Sequence, residues 1–295
     1  MENKIPSYGG QAVIEGVLMR GKSSAAMAVR APDNEIVTHQ EKLTGLYTSK
    51  ITKIPLLRGL IVLWDSLGLG MRYLTLSANV QTGEEEKLEG PALYLTLGLS
   101  LTIGIGLFFL LPAFISGLLA RYAGISAWGS NLIEGGLRLI LLVGYLYIIG
   151  NIPDIKRVFM YHGAEHKTIN AFEDGVKLTP ENVMPYSVQH TRCGTSFILT
   201  LVLLSILIFS LFGPMAIHWR LLSRLLMIPV LAGISYEYIH FLSKRMESPL
   251  IRLLVKPNLA LQQLTTREPT MDMLEVSIKA FNIMQDLERE EKLEA

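Results

Sequence analysis

One cysteine, Cys193, is the only thiol among the 295 residues. An internal disulfide framework is therefore excluded, and the thiol suits a reducing compartment. Charge is scarce as well: Asp, Glu, Lys and Arg make up 18% of the chain and nearly cancel, leaving a formal +1. Gripping phosphates along a polymer takes a basic face or stripe, so this balance speaks against a nucleic-acid partner. The opening MENKIPSYGG has no basic stretch followed by an apolar one. No cleaved signal peptide is expected, and the first apolar segment must act as its own insertion signal. There is no internal repeat either, which disfavours a transporter built from inverted halves.

Apolar residues are abundant. They form half of the chain and collect in blocks at roughly 92–119, 132–150, 196–213 and 221–242. A helix of about 20 apolar residues crosses a hydrocarbon core, so four spans are expected, the third short but extendable. Lys and Arg are placed unevenly around these blocks. Ten precede the first, five lie between the second and third, and eight follow the fourth, whereas the intervening segments hold only Arg121 and Arg220. The excess of positive charge on the cytoplasmic side then puts both termini and the 151–195 loop in the cytoplasm of a multi-pass plasma-membrane protein.

The expected fold class is a mainly α integral membrane protein with a small β-containing N-terminal part. Residues 1–83 read as a cytoplasmic domain. QAVIEGVLMRG, AAMAVRA and EIVTHQEKL look like strands, with a turn at Ala31, Pro32, Asp33 and Asn34. The spacing of Leu56, Leu57, Leu60, Ile61, Leu63, Trp64 and Leu67 predicts an amphipathic helix over 55–78, lying on the membrane or the bundle. Residues 84–91 read as a charged linker, 92–242 as a four-helix membrane domain, and 243–295 as a cytoplasmic segment ending in a helix at 270–290. Within the second block Glu134 and Arg138 stand four apart and can pair locally.

The cytoplasmic loop carries the chemistry. Pro153 and Gly175 frame a helix through IKRVFMYHGAEHKTINAFED. His162, Glu165 and His166 are spaced i, i+3, i+4 and share one face, to which Glu173 returns after three turns. Two imidazoles about one turn apart can chelate one metal ion, in the order H-x-x-E-H. The same face could equally be a hydrogen-bonded packing surface. His190 and Cys193, in QHTRCGTSF, are ligand types at a spacing common in zinc sites, although a buried thiol often packs as a small apolar group. Glu237 and His240 lie on one face at the end of the fourth block, where a carboxylate is either functional or paired, for instance with Arg192. The glycine-rich GGQAVIEGVLMRG, with Glu15 and Arg20, lacks the spacing of a phosphate-binding loop and reads more simply as a tight turn.

At these residues the sequence resembles a family of bacterial integral membrane proteins of the YqhQ type, a domain-of-unknown-function family described as predicted metal-dependent enzymes. The resemblance rests on GGQAVIEGVLMRG, AVRAP, IPLLRGL, YHGAEHKTINAFE, LTPENV, RCGTSF, AGISYE and LQQLTTREP, in that order over nearly the whole chain. It implies roles for His162, Glu165, His166, Arg192, Cys193 and Glu237. His190 and His240 lie outside its clearest words.

The resulting expectation is a divalent-metal enzyme, hydrolytic, opening at the cytoplasmic membrane face. His162 and His166 would be ligands, zinc the most fitting ion, with His190, Cys193 or Glu237 completing the set. Glu165 would be the general base toward metal-activated water. The alternative is a non-catalytic assembly or interaction factor that binds a membrane-protein partner and uses the polar cluster to pin its loops. The lipid bilayer is a partner in either case, and the substrate class is left open.

Overall fold

The structure is a computed structural model and describes residues 8–43, 54–82 and 90–294. Most of the expected 84–91 linker lies outside the described residues. Four strands open the fold: β1 Gly9–Val13, β2 Gly16–Arg20, β3 Ser24–Arg30 and β4 Ile36–Lys42. They pair in sequence order as an antiparallel meander. The segment expected to be one strand is thus two, reversed at Ile14 and Glu15, where Val13 pairs with Gly16. Glu15 takes a left-handed φ of 52°, a conformation that turns usually assign to Gly or Asn. Tertiary bonds hold it there: Arg157 grips its carboxylate through Nε and Nη2, and the Tyr161 hydroxyl donates to it at 3.3 Å. The turn at 31–34 forms as expected, Asn34 N–H donating to the Ala31 carbonyl at 2.9 Å.

Side chains alternate across a strand, so each face of this sheet needs its own cover. Leu18, Ala25, Met27 and Val29 pack against Leu69 and Tyr73 of helix α1 (Leu57–Thr82). Val17, Met19, Ala26 and Ala28 pack against Tyr161, Met273, Leu274 and Phe281. The latter belong to α5 (Pro153–Glu173) and α11 (Met271–Glu294). The sheet is therefore a buried middle layer, which explains why β2 and β3 are apolar at almost every position.

Between α1 and α5 stand α2 (Pro91–Ile105), a π turn at Gly106–Leu110, α3 (Leu111–Ala123) and α4 (Ala127–Ile149). Among the described residues two helices are long and apolar enough to span a membrane: the continuous run Leu93–Ala123 and Ala127–Ile149. A third exists if α8 (Ile217–Leu226) and α9 (Ile228–Ser243), bent by 43°, form one span. The remaining apolar helix, α7 (Gly194–Ser210), has 17 residues. The described helices are thus consistent with a membrane protein, and their outward side chains agree: Leu95, Leu99, Leu101, Ile103, Ile140 and Ile148 are exposed.

Helix α8 is amphipathic in the sense opposite to a soluble surface helix. Trp219, Leu222 and Leu226 face out, and Arg220 and Arg224 are buried. Both arginines reach Glu134 of α4, as does Arg138, at 2.8 to 3.0 Å. The local Glu134 and Arg138 pair expected from their spacing is thus one part of a larger cluster of three guanidiniums on one carboxylate. Aromatic faces share the load, with Arg224 lying 4.1 Å from the Phe209 ring centroid.

Helix α5 begins with Pro153 in its first turn and ends in a Schellman motif. Val176 N–H donates to the Ala171 carbonyl at 3.1 Å and Gly175 N–H to that of Phe172 at 2.9 Å, with Gly175 at φ 73°. The short helix α6 (Pro180–Val183) is capped by Thr179. The stretch of mixed character after the last apolar block forms a helix, α10 (Pro249–Thr265), despite Pro257 in its interior. It lies against α7, and its end brings Thr265 to α5.

Candidate metal centre

The His162 ring is fixed at both nitrogens. Its Nδ1 lies 2.9 Å from the Thr265 carbonyl and its Nε2 lies 3.2 Å from Cys193 Sγ. A carbonyl can only accept, so Nδ1 carries the hydrogen and the neutral ring presents a lone pair on Nε2. His166 is pinned in the same way, with Nδ1 2.6 Å from the Val188 carbonyl. Its Nε2 also presents a lone pair, 3.3 Å from Glu165 Oε2. Backbone carbonyls behind imidazoles are the usual outer support of metal-ligating histidines, because they settle the tautomer and the ring orientation.

Cys193 is the N-cap of α7, its sulfur accepting from Thr195 N–H at 3.4 Å. The helix start aims the thiol back at α5, where His162 Nε2 meets it. One ligand atom each from His162, His166 and Cys193 lie within 4.8 Å of one another. The His162 and His166 ring centroids are 4.4 Å apart. These donors, imidazole nitrogen and thiolate sulfur, suit zinc and similar divalent ions.

Glu165 is 3% exposed and its carboxyl meets β1, where a Cβ on Gly10 would lie 2.7 Å from Glu165 Cγ. Burial pushes this carboxyl above the usual range, opposed by His162, His190, Arg192 and the Gly10 N–H. Together with Tyr8, Gly9, Gly10, His190, Arg192 and Gly194, the trio and Glu165 line a cavity of about 80 Å³. Glu173 closes one side: it pairs with Arg192, and its Oε2 stands 3.7 Å from His190 Nε2. Burial raises the Glu173 carboxyl, but His190 and Arg192 outweigh it and the net direction is down.

Residues 54–286 match a family model described as "Protein of unknown function (DUF1385)". The "Uncharacterized protein YqhQ" of Bacillus subtilis (strain 168) is 37% identical over 300 residues, covering 96% of this chain and 93% of that protein. The chain belongs to this family. No solved structure matches it. The family match includes α5, Cys193 and Thr265, whereas Gly10 and β1 lie before it.

Within this family member the structure gathers some of the expected residues and separates others. His162, His166 and Cys193 come together with Glu165 beside them. His190 shares the cavity, its ring 5.7 Å from that of His166. Glu237 stands elsewhere: Arg58 of α1 grips its carboxylate, and Leu56 N–H donates to it at 3.1 Å. The partner foreseen for it, Arg192, is bound to Glu173 instead. His240 stacks on Tyr236 at 6.0 Å. Sequence reasoning missed the supports: Thr265, Val188, Gly10 and Gln262, whose amide brackets His190 N–H at 3.0 Å and the His190 carbonyl at 2.8 Å.

Proposed function

We propose that this chain is a divalent-metal-dependent hydrolytic enzyme of the plasma membrane, with four membrane segments and its site at the cytoplasmic face. The observation that carries the reading is the pair of carbonyl-pinned histidines, each of which offers one ligand atom within 4.8 Å of the other's and of Cys193 Sγ. His162, His166 and Cys193 would hold the ion, zinc fitting this donor set best. A cation so held supplies Lewis acidity toward water and toward a substrate oxygen. Glu165 then serves as the proton acceptor: it is buried, borders the same cavity and is held by the Gly10 N–H. Arg192 and Glu173 fix each other beside the cavity, and Tyr8, Gly9 and Gly10 complete its lining. The cytoplasmic placement follows from the Lys and Arg asymmetry, which puts the loop containing α5 on the positive side.

Elemental analysis of the purified full-length protein tests this reading. Stoichiometric zinc, manganese or iron is expected in the parent and should be lost from a His162→Ala/His166→Ala variant that still folds. A folded parent that takes up none of these ions when supplied would sink the metal reading and favour the assembly-factor alternative.

A further inference from the structure

The cavity has a second wall that the metal donors do not use. Arg192 donates to Glu173 through Nη2, but its Nε is buried without a hydrogen-bond acceptor. His190 is 6% exposed, and its Nε2 is also buried without a hydrogen bond, Glu173 Oε2 standing off at 3.7 Å. Buried polar groups left unpaired in a folded protein call for a partner. Both residues line the cavity beside Gly194, the first residue of α7. The positive end of the α7 dipole therefore opens onto the same space. There is room for a ligand, since a Cβ on Gly9 or Gly194 would meet nothing within 4 Å. Glu173 offsets the Arg192 charge and Glu165 shares the lining, so it is the unpaired Arg192 Nε and His190 Nε2, together with the helix N-terminus, that favour an oxyanion at this wall.

We infer that the substrate carries a small oxyanionic group, a phosphate or a carboxylate, which seats on Arg192, His190 and the start of α7. As a statement about substrate this rests on the metal-enzyme reading, but the anion seat is made by residues other than His162, His166 and Cys193. The oxyanion accepts from Arg192 Nε and from the imidazole while its uncharged remainder extends along Gly9 and Gly194. Glu173 holds Arg192 through Nη2 and leaves the Nε hydrogen to the oxyanion.

Calorimetric titration of the full-length protein in phosphatidylcholine nanodiscs tests the inference, using inorganic phosphate and acetate as probes on zinc-free and zinc-supplied samples. The parent should bind at least one probe, and Arg192→Gln should weaken it about tenfold or more, as loss of a charge-assisted bond does. An Arg192→Gln/Glu173→Gln variant should be as weak, which removes the unpaired Glu173 carboxylate as the cause. Melting temperature and zinc content should match the parent in both variants. Competition by short-chain phosphatidic acid would assign the oxyanion to a lipid headgroup, and its absence to a soluble substrate. A parent that binds neither probe, or an Arg192→Gln variant that binds as well as the parent, overturns the inference whatever its metal content. Failure to take up zinc counts against the metal reading alone, because the zinc-free titration still reads the anion seat.

Discussion

The two histidines face one another productively because of carbonyl oxygens far away in sequence. Thr265 lies 103 positions beyond His162, and Val188 lies 22 beyond His166. The i, i+4 spacing shows that the imidazoles share a helix face, but a tautomer is set by what stands behind the ring, and that is tertiary information. The same limit explains Glu237, whose position near the end of an apolar segment gives no hint that Arg58 would reach it. Gly163, inside the HGAEH word, acts through its small size alone, since a Cβ there would press into the Arg267 carbonyl oxygen, which belongs to the loop following α10. Gly163→Ala should therefore force α5 and that loop apart and cost about 1–3 kcal/mol, as overpacking of a close contact does. Thermal or denaturant unfolding in detergent reads this directly. An unchanged midpoint would show that the loop gives way freely.

At the scale of elements, α4 and α8 are joined by the Glu134 cluster. Arg138, Arg220 and Arg224 all bond to this carboxylate, which is 1% exposed. Removing its charge leaves three buried guanidiniums around a neutral amide. Glu134→Gln should destabilise the bundle by about 3–5 kcal/mol, the range for breaking a buried ion pair from one side. Loss of under about 1 kcal/mol in denaturant unfolding would mean that the arginines are held by Ser130, Asn131 and the Phe209 face alone. The elements themselves were unevenly legible. The frame of α5 was plain because Pro153 and Gly175 mark its ends, and the α11 pattern was equally clear. Helix α10 was hidden by Pro257, which ordinarily interrupts a helix. The glycine-rich opening was read both as a strand and as a tight turn, but the place of the β1–β2 reversal was hidden because Ile14 and Glu15 carry no turn signal, and the turn depends on Arg157 and Tyr161 from another element. Of the charged partners of Glu134, Arg138 was foreseen, but Arg220 and Arg224 were missed since they sit on a helix whose polar side points inward, the reverse of the soluble pattern.

For the whole molecule, the Lys and Arg bias predicts both termini on the cytoplasmic side. A reporter that is active only outside the membrane, fused after Ala295, should be silent, and one that is active only in the cytoplasm should work. The opposite result would put the histidine cluster outside. Four segments were readable in the sequence as apolar blocks, whereas the lengths of the folded helices mark two or three as able to cross alone. The difference arises because α7 is short and the last block breaks between α8 and α9, features of backbone geometry that hydropathy averages over. The two ends of the chain also meet: Glu288 of α11 accepts hydrogen bonds from Lys22 and Ser23 at the β2–β3 turn, and the Tyr8 hydroxyl donates to it at 3.3 Å. A ribosome releases β1 well before α11, so the first strands acquire that cover only after all the helices between them have been made. His162 likewise lacks its Thr265 carbonyl until α10 is complete. The ordered cavity therefore needs α10, and a nascent chain stalled before that helix would carry both histidines with no ordered site to display them.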